Sequence, residues 1–268
     1  MAATSLDLTF WGVRGSIPTP SPENLAFGGN TACLAIRTGG DPPIIFDAGT
    51  GIRALGNELG EAKALHIFLT HFHWDHIQGL PSFKPLFNSH CATTIHSTAD
   101  PAELERILAA QMRRPYFPVP MPAHVAYRKV EHEGTRIGDL LIRPFPLHHP
   151  GGATGYRIES SNATIVYATD HEHGDPESDA LLLQNADHAD VLIYDAQYTP
   201  AEYEHQRGWG HSTWREAVQF AQRARVKRLI LFHHDPNRTD EQLARIVSEA
   251  QSEFANTTAA TEGSTLQL

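Results

Sequence analysis

Thr70-His71-Phe72-His73-Trp74-Asp75-His76 follows an apolar run that begins at Leu65 and is predicted to be a buried strand. In extended backbone, side chains two residues apart point the same way, so His71 and His73 can reach one metal ion. If the chain then turns into a helix, Asp75 and His76 reach the other side of the same pocket. Two adjacent metal sites about 3.5–4 Å apart are the arrangement that activates a shared hydroxide. The segment therefore predicts a two-metal centre.

Length and composition are those of a globular enzyme. By length alone, one large domain fits the 268 residues as well as two small ones do, and we expect a single domain spanning 1–268, with 41% hydrophobic and 19% charged residues. No run approaches the roughly 20 apolar residues needed to cross a bilayer, so we expect no membrane partner. The segment Met1–Asp7 lacks a basic region followed by an apolar core, so we also expect no secretory signal.

Charge and cysteine content limit the class of substrate and the cellular compartment that we expect. The formal net charge of −10 disfavours a generic nucleic-acid surface, which is normally basic. It does not exclude a small anionic substrate, because metal ions supply a local positive field. Cys33 and Cys91 are flanked by apolar or small residues and form no CxxC pair. They predict buried free thiols in a reducing compartment, and hence a cytoplasmic location.

Hydrophobic patterns predict strands throughout the chain and an alternation of helices and strands in its second half. The predicted strands are 6–11, 31–37, 44–46, 65–70, 126–130, 140–145, 155–159, 164–168, 191–194, 228–232 and 265–268, and the predicted helices are 52–59, 101–111, 213–224 and 240–250. This order favours helices packed outside one or two mixed sheets. The Pro-rich segment 112–123 is predicted to be an irregular loop that could act as a lid.

The opening segment resembles the HxHxDH signature of the metallo-β-lactamase superfamily, and other motifs stand in that superfamily's order. Asp47 resembles the strand-end Asp that supports the metal loop from behind. The stretch 145–150, followed by Gly155-Tyr156-Arg157, resembles the third motif. Asp170 resembles the Asp that bridges both metals, and 231–235 resembles the last motif. The resemblance implies an α/β (α+β) fold of αββα type, with two mixed β-sheets flanked by helices.

The resemblance also implies a ligand set. The first metal would take His71, His73 and His149, the second would take Asp75, His76 and His233, and Asp170 would bridge them. His149 is favoured over His148 because its distance to the Gly-Tyr-Arg tract matches the family, and His233 is favoured over His234 because it stands directly at a strand end. His171 and His173 are more typical of solvated loop histidines than of ligands. This donor set suits two divalent ions, with Zn²⁺ favoured and Mn²⁺ or Fe²⁺ also fitting.

Two further segments resemble the tRNase Z and phosphodiesterase branch of the superfamily. Asp195 ends a predicted strand, and Gly210-His211-Ser212-Thr213 opens a predicted helix. The resemblance implies that Asp195 orients His211, which protonates the leaving oxygen, whereas helix capping by Ser212 or Thr213 is the structural alternative. The stretch 11–18 resembles a bacterial group of small metallo-hydrolases described as cyclic-phosphate or cyclic-nucleotide phosphodiesterases. The long Gly/Pro-rich exosite arm with which tRNase Z grips tRNA is not seen.

These patterns together predict a dinuclear, metal-dependent phosphodiesterase whose substrate is a small cyclic phosphate or cyclic nucleotide. Asp75 would also accept a proton from the attacking water. Arg14, Arg113 and Arg114 are candidates to grip the phosphate, although a solvated surface position is the commoner role for each. The alternatives are a thioester or lactone hydrolase that keeps the metals, and a metal-bearing sensor without turnover. A homodimer stays open as the assembly.

Overall fold

Two seven-stranded β-sheets packed face to face form the centre of the molecule. The structure is a computed structural model that describes residues 6–39, 42–60 and 62–268. Its strands are β1 Leu6–Gly12, β2 Cys33–Thr38, β3 Ile44–Phe46, β4 Ala64–Phe68, β5 Ala92–Ser97, β6 Ala126–Lys129, β7 Thr135–Ile137, β8 Leu140–Leu147, β9 Ala153–Glu159, β10 Thr164–Ala168, β11 Val191–Asp195, β12 Arg228–Phe232, β13 Thr257–Ala259 and β14 Thr265–Gln267. Its α-helices are α1 Ile52–Glu58, α2 Trp74–Ile77, α3 Pro101–Gln111, α4 Pro176–Ala186, α5 Pro200–Tyr203, α6 Trp214–Arg223 and α7 Asp240–Glu253.

Each sheet has an antiparallel part and a parallel part. The first sheet has the order β14-β1-β2-β3-β4-β5-β6 and is antiparallel from β14 to β3 and parallel from β3 to β6. The second has the order β13-β12-β11-β10-β9-β8-β7 and is parallel from β13 to β10 and antiparallel from β10 to β7. The prediction of two mixed sheets is confirmed.

Three apolar clusters define the layers. One cluster lies between the sheets and contains Phe46, Phe68, Tyr156 and Tyr167. A second packs the outer face of the first sheet against α1 and α3, and a third packs the second sheet against α4, α6 and α7. The order helix, sheet, sheet, helix is the predicted αββα sandwich. The parallel strands β11 and β12 are almost entirely buried because both of their faces are covered.

Most predicted elements are present, and those that were missed are short or polar. The antiparallel pairing of β2 with β3 confirms the predicted hairpin, although Gly40 and Asp41 in its turn lie outside the described residues. The prediction omitted β5, β7, β13, α4 and the four-residue helix α5. The strands β7 and β13 have only three residues each, and β5 carries two threonines and a histidine, so none shows a clear apolar period. Segment 112–123 has the expected irregular backbone.

Two simpler expectations can also be compared with the structure. Cys33 and Cys91 are both free and buried, as predicted. None of the helices in the described residues has both the length and the apolar character needed to cross a membrane.

Truncation of Phe46 is expected to destabilise the sandwich. Its ring lies 5.4 Å from that of Phe68, 5.5 Å from that of Tyr156 and 6.1 Å from that of Tyr167. Phe46→Ala would leave a cavity between the sheets and lower the free energy of unfolding by about 3–5 kcal/mol, measured by urea denaturation. Tyr116→Ala, at a ring that is 72% exposed, is the matched control and should change it by less than about 0.5 kcal/mol. Equal effects of the two substitutions would contradict this packing.

Candidate metal centre

The predicted ligands meet at one edge of the sandwich, where strands of both sheets end. The loop after β4 carries His71 and His73, and α2 carries Asp75 and His76. From the second sheet come His149 after β8, Asp170 after β10 and His233 after β12. Parallel strands present their carboxyl ends on the same side, so residues distant in sequence converge there. All of these residues except His73 are buried.

The nitrogen and oxygen atoms form two groups that share Asp170. In the first group, Nε2 of His149 lies 3.1 Å from Nδ1 of His73, and Oδ1 of Asp170 lies 3.7 Å from Nε2 of both His71 and His149. In the second, Oδ2 of Asp170 lies 3.1 Å from Nε2 of His76 and 3.3 Å from Nε2 of His233. One oxygen of Asp170 therefore faces each group.

The second group is completed by Asp75. Its Oδ2 lies 3.1 Å from Nε2 of His233 and 3.4 Å from Nε2 of His76. Tetrahedral bonds of 2.0–2.2 Å to zinc separate neighbouring ligand atoms by about 3.3–3.6 Å. The separations in both groups lie close to this range, so the spacing fits divalent metal ions.

Hydrogen bonds orient four of the five histidines for metal binding. The Nδ1–H groups of His76, His149 and His233 donate to Asp47, to the carbonyl of Gly210 and to Gln197, over 2.9, 2.7 and 2.9 Å. The Thr70 hydroxyl donates to Asp47, so it accepts from Nδ1–H of His71. Each Nε2 lone pair is then left for a metal, and the buried Nε2 of His71 has no hydrogen-bond partner among the described residues. The residues present thus fit the metals that the fold implies.

The charges of the centre also fit divalent metal ions. Among the described residues, no Lys or Arg is paired with Asp47, Asp75, Asp170 or Asp195. Burial lowers the pKa of His233, but Asp170 and Asp75 outweigh burial and raise that pKa to about 9. Burial raises the pKa of Asp170, but the surrounding histidines outweigh it and hold that pKa well below its usual range. The carboxylates also raise the pKa of His76, so without metal the protons on His76 and His233 offset part of the negative charge, and divalent ions can replace them.

Asp47 supports the metal loop from behind, as the resemblance implies. Its carboxylate accepts the backbone N–H of Thr70 at 2.8 Å, Nδ1–H of His76 at 2.9 Å and the hydroxyl of Tyr167 at 2.8 Å. These bonds join the end of β3 to the metal loop and to β10 of the opposite sheet.

Three residues of the centre adopt a left-handed backbone conformation. The φ angles of Asp47, Asp170 and His233 are 60°, 56° and 60°. Each residue lies just after a strand, and none is a glycine, so the conformation costs roughly 1–2 kcal/mol at each position. The strain turns each side chain out of the strand direction and towards the shared site.

His211 and Asp195 form a separate pair beside the metal ligands. The Nδ1–H of His211 donates to Oδ2 of Asp195 over 2.8 Å. The same carboxylate accepts backbone N–H groups from Asp170, Gln197 and Ser212, which fixes its position. The ring of His211 lies 4.8 Å from that of His233, so the pair borders the second group. Thr213, not His211, caps α6 through its side chain.

For each pair of neighbouring histidines that the sequence left open, the structure shows which one lies in a group of metal-binding atoms. His148 is exposed and bonds to the carbonyl of Glu172, while His149 lies in the first group. His234 points away from the centre and donates to the carbonyl of Ala260. His171 and His173 lie outside both groups. The expectation that His171 is solvated is wrong, because its ring is fully buried and donates to Asp179 over 3.0 Å.

The three arginines are not brought to the centre. Arg14 is fully buried, and its guanidinium donates to the carbonyls of Gly28, Asp235 and Arg238. It fastens three loops together, so neither a solvated position nor a phosphate-gripping role is compatible with it. Arg113 and Arg114 are exposed in the Pro-rich segment. Arg113 lines a depression against α3 and not the groove that contains His71 and His73.

Glu172 is a residue of the site that the sequence did not reveal. Its buried carboxylate accepts the backbone N–H groups of Gly208 and Gly210, both over 2.7 Å, and the hydroxyl of Tyr203 over 2.9 Å. Gly210 in turn accepts from His149 and precedes His211. Glu172 therefore holds the loop of Gly208 and Gly210 in place. Through Gly210 this loop positions His149 of the first group, and Gly210 directly precedes His211. Its contacts come from distant segments, so no local motif marks it.

Comparison with known proteins supports the same family. The Beta-lactamase superfamily domain matches residues 43–234. Ribonuclease Z of Haloferax volcanii is 29% identical, over 85% of this chain and 84% of that protein. The metallo-β-lactamase fold protein YhfI from Bacillus subtilis superposes with a TM-score of 0.77 at 18% identity, covering 99% of this chain and all of its own. A diphosphatase from the PhnP family gives a TM-score of 0.73 at 20% identity and covers 98% of this chain and 97% of its own.

Replacement of Glu172 tests its positioning role. In Glu172→Gln, an amide N–H₂ replaces one carboxylate oxygen and cannot accept from a glycine N–H, so the loop around Gly210 loosens. We expect metal affinity to fall by about 10-fold, measured by competition with a chromophoric chelator. Glu177→Gln, an exposed substitution in α4, is the control and should bind metal as the parent does. Unchanged affinity in Glu172→Gln would remove this role.

Proposed function

The chain belongs to the β-lactamase superfamily, and we propose that this metal-dependent hydrolase is a two-metal phosphodiesterase acting on a small cyclic phosphate or cyclic nucleotide. The observation that carries the proposal is the His211–Asp195 pair beside two groups of metal-binding atoms. The relative named Ribonuclease Z and the structural neighbour named a diphosphatase support phosphoester chemistry. The net charge of −10 favours a small substrate over a long nucleic acid.

The proposed metal ligands are those of the two groups. His71, His73 and His149 would hold one ion, Asp75, His76 and His233 the other, and Asp170 would bridge them. Two bound divalent ions supply Lewis acidity, a water of lowered pKa and positive charge for the phosphoryl oxygens. Zn²⁺ is the proposed ion for this set of imidazole and carboxylate donors.

The chain's own residues would move the protons. Asp75 would accept a proton from the attacking water, and the bond from Ser16 N–H at 2.7 Å holds its carboxylate in place. His211 would give a proton from Nε2 to the leaving oxygen, because Asp195 occupies its Nδ1–H. One water is consumed: its oxygen bonds to phosphorus, the P–O bond to the leaving oxygen breaks, and that oxygen becomes a hydroxyl, which in a cyclic substrate stays on the same sugar.

An acyl hydrolase remains the rival function for the same metals. Hydrolysis of a thioester expels a thiolate, which needs little proton donation, so that reaction gives the His211–Asp195 pair less to do. The orientation of His211 by a buried carboxylate therefore favours an alkoxide leaving group such as a ribose oxygen.

Removal of the metals is the first test. Elemental analysis is expected to find two divalent ions per chain, and chelation should abolish hydrolysis of bis-p-nitrophenyl phosphate and of 2′,3′- and 3′,5′-cyclic nucleotides. Adding back Zn²⁺, Mn²⁺ or Fe²⁺ separately should restore activity and identify the preferred ion. Metal-loaded protein that is inactive on all these diesters but cleaves thioesters or lactones would reject the phosphodiesterase in favour of the rival.

His211→Ala tests the proton donor through the leaving group. With a ribose leaving oxygen, loss of the acid should lower kcat by about 10²–10⁴-fold. With p-nitrophenolate, which leaves without a proton, the loss should be about 10-fold or less. His188→Ala, at an exposed side chain, serves as the control and should leave both rates unchanged. Equal losses on the two substrates would rule out proton donation by His211.

A further inference from the structure

A groove of about 750 Å³ opens from the side of the candidate centre where His71 and His73 lie. Its volume is in the range of pockets that hold small organic ligands, and it is continuous with the exposed ring of His73. Its apolar wall is formed by Phe72, Ala99, Val130, Pro144, Phe145 and Pro146. None of the proposed steps at phosphorus requires this space.

The rim of the groove is polar. The hydroxyls of Thr98 and Thr154 lie 3.1 Å apart, and Ser97 contributes a third hydroxyl to the lining. Lys129 and Glu131 form an ion pair of 3.2 Å and remain about half exposed. Each hydroxyl keeps a further lone pair, and the ammonium of Lys129 keeps further N–H bonds, so the rim can also bond to a polar ligand. A flat ring with polar edges would satisfy both the apolar wall and the hydroxyl-bearing rim.

The groove and the proposed acid lie on different sides of the centre. The ring of His149 stands between them, 4.9 Å from that of His73 and 5.3 Å from that of His211. No residue of the loop that carries His211 lines the groove. The leaving oxygen must meet His211, and the groove on the other side of His149 is then the space open to the substituent that remains on phosphorus.

We propose that this groove binds the nucleobase carried by the retained side of the substrate. The inference rests on the proposed phosphodiesterase function and narrows it, because it favours a nucleotide over a bare sugar cyclic phosphate. Ring faces pack on the proline, valine and phenylalanine side chains, and ring edges bond to the hydroxyls and to Lys129. In a cyclic nucleotide the sugar spans the two sides and the base enters the groove.

Two diesters with the same leaving group test this subsite. Thymidine 5′-(p-nitrophenyl phosphate) and methyl p-nitrophenyl phosphate both release p-nitrophenolate and differ only in the retained group. The thymidine diester should have a KM lower by about 10-fold, from base contacts of the usual strength. Ala99→Trp, which fills the groove, should remove that advantage, so that the KM of the thymidine diester rises to that of the methyl diester. Ala180→Trp, at an exposed position in α4, is the matched control.

Thr98→Trp, at the rim of the groove beside Ala99, is the second variant, for use if Ala99→Trp does not fold. A binding measurement separates the subsite from turnover: thymidine 5′-phosphate should bind more tightly than inorganic phosphate, and either variant should abolish the difference. Hydrolysis of both diesters with equal KM, or equal binding of the two phosphates, would overturn the subsite and leave the phosphodiesterase standing. Tight binding of thymidine 5′-phosphate without hydrolysis of any diester would overturn the phosphodiesterase and leave a nucleotide-binding groove.

Discussion

Buried negative charge is the constraint on which the centre depends. Asp47, Asp75, Asp170 and Asp195 lie where the two sheets meet, and no lysine or arginine is paired with them in the described residues. An isolated buried carboxylate costs several kcal/mol, so each must find hydrogen bonds and the group must be neutralised. Backbone N–H groups and imidazoles supply the hydrogen bonds. Divalent cations would neutralise the group, because the orienting hydrogen bonds leave the histidine Nε2 atoms free to bind them.

Both sheets are needed to build this arrangement. The first sheet delivers the HxHxDH loop and Asp47, while the second delivers Asp170, Asp195 and the two remaining histidines proposed as ligands. Asp47 bonds across to Tyr167, so one contact joins the sheets directly behind the centre. On the opposite side, Glu172 fastens the loop of His211 to the loop of Asp170. A change in the packing between the sheets would therefore also move the residues of the centre.

The prediction from sequence was more accurate for the fold and for the residues that meet at the centre than for the burial of individual side chains. The period-two spacing of His71 and His73 and the following helical turn were enough to indicate a metal loop, and the resemblance supplied the other ligands. Arg14 was misread because proximity to a motif in sequence says nothing about which way a side chain points, and its guanidinium is bonded inside the protein. Glu172 was missed because its role exists only when three separate segments meet. The short strands β7 and β13 depend on pairing with neighbours, which no local pattern records.

The left-handed conformations of Asp47, Asp170 and His233 set up a conflict between thermal robustness and chemistry. Glycine at any of these positions would relieve the backbone strain, and at the two aspartates it would also remove a buried charge. At Asp47 this gain is offset, because glycine would leave the buried donors of Thr70, His76 and Tyr167 without their acceptor. Backbone strain at these turns therefore accompanies the placing of a carboxylate or an imidazole where a glycine would fold with less strain.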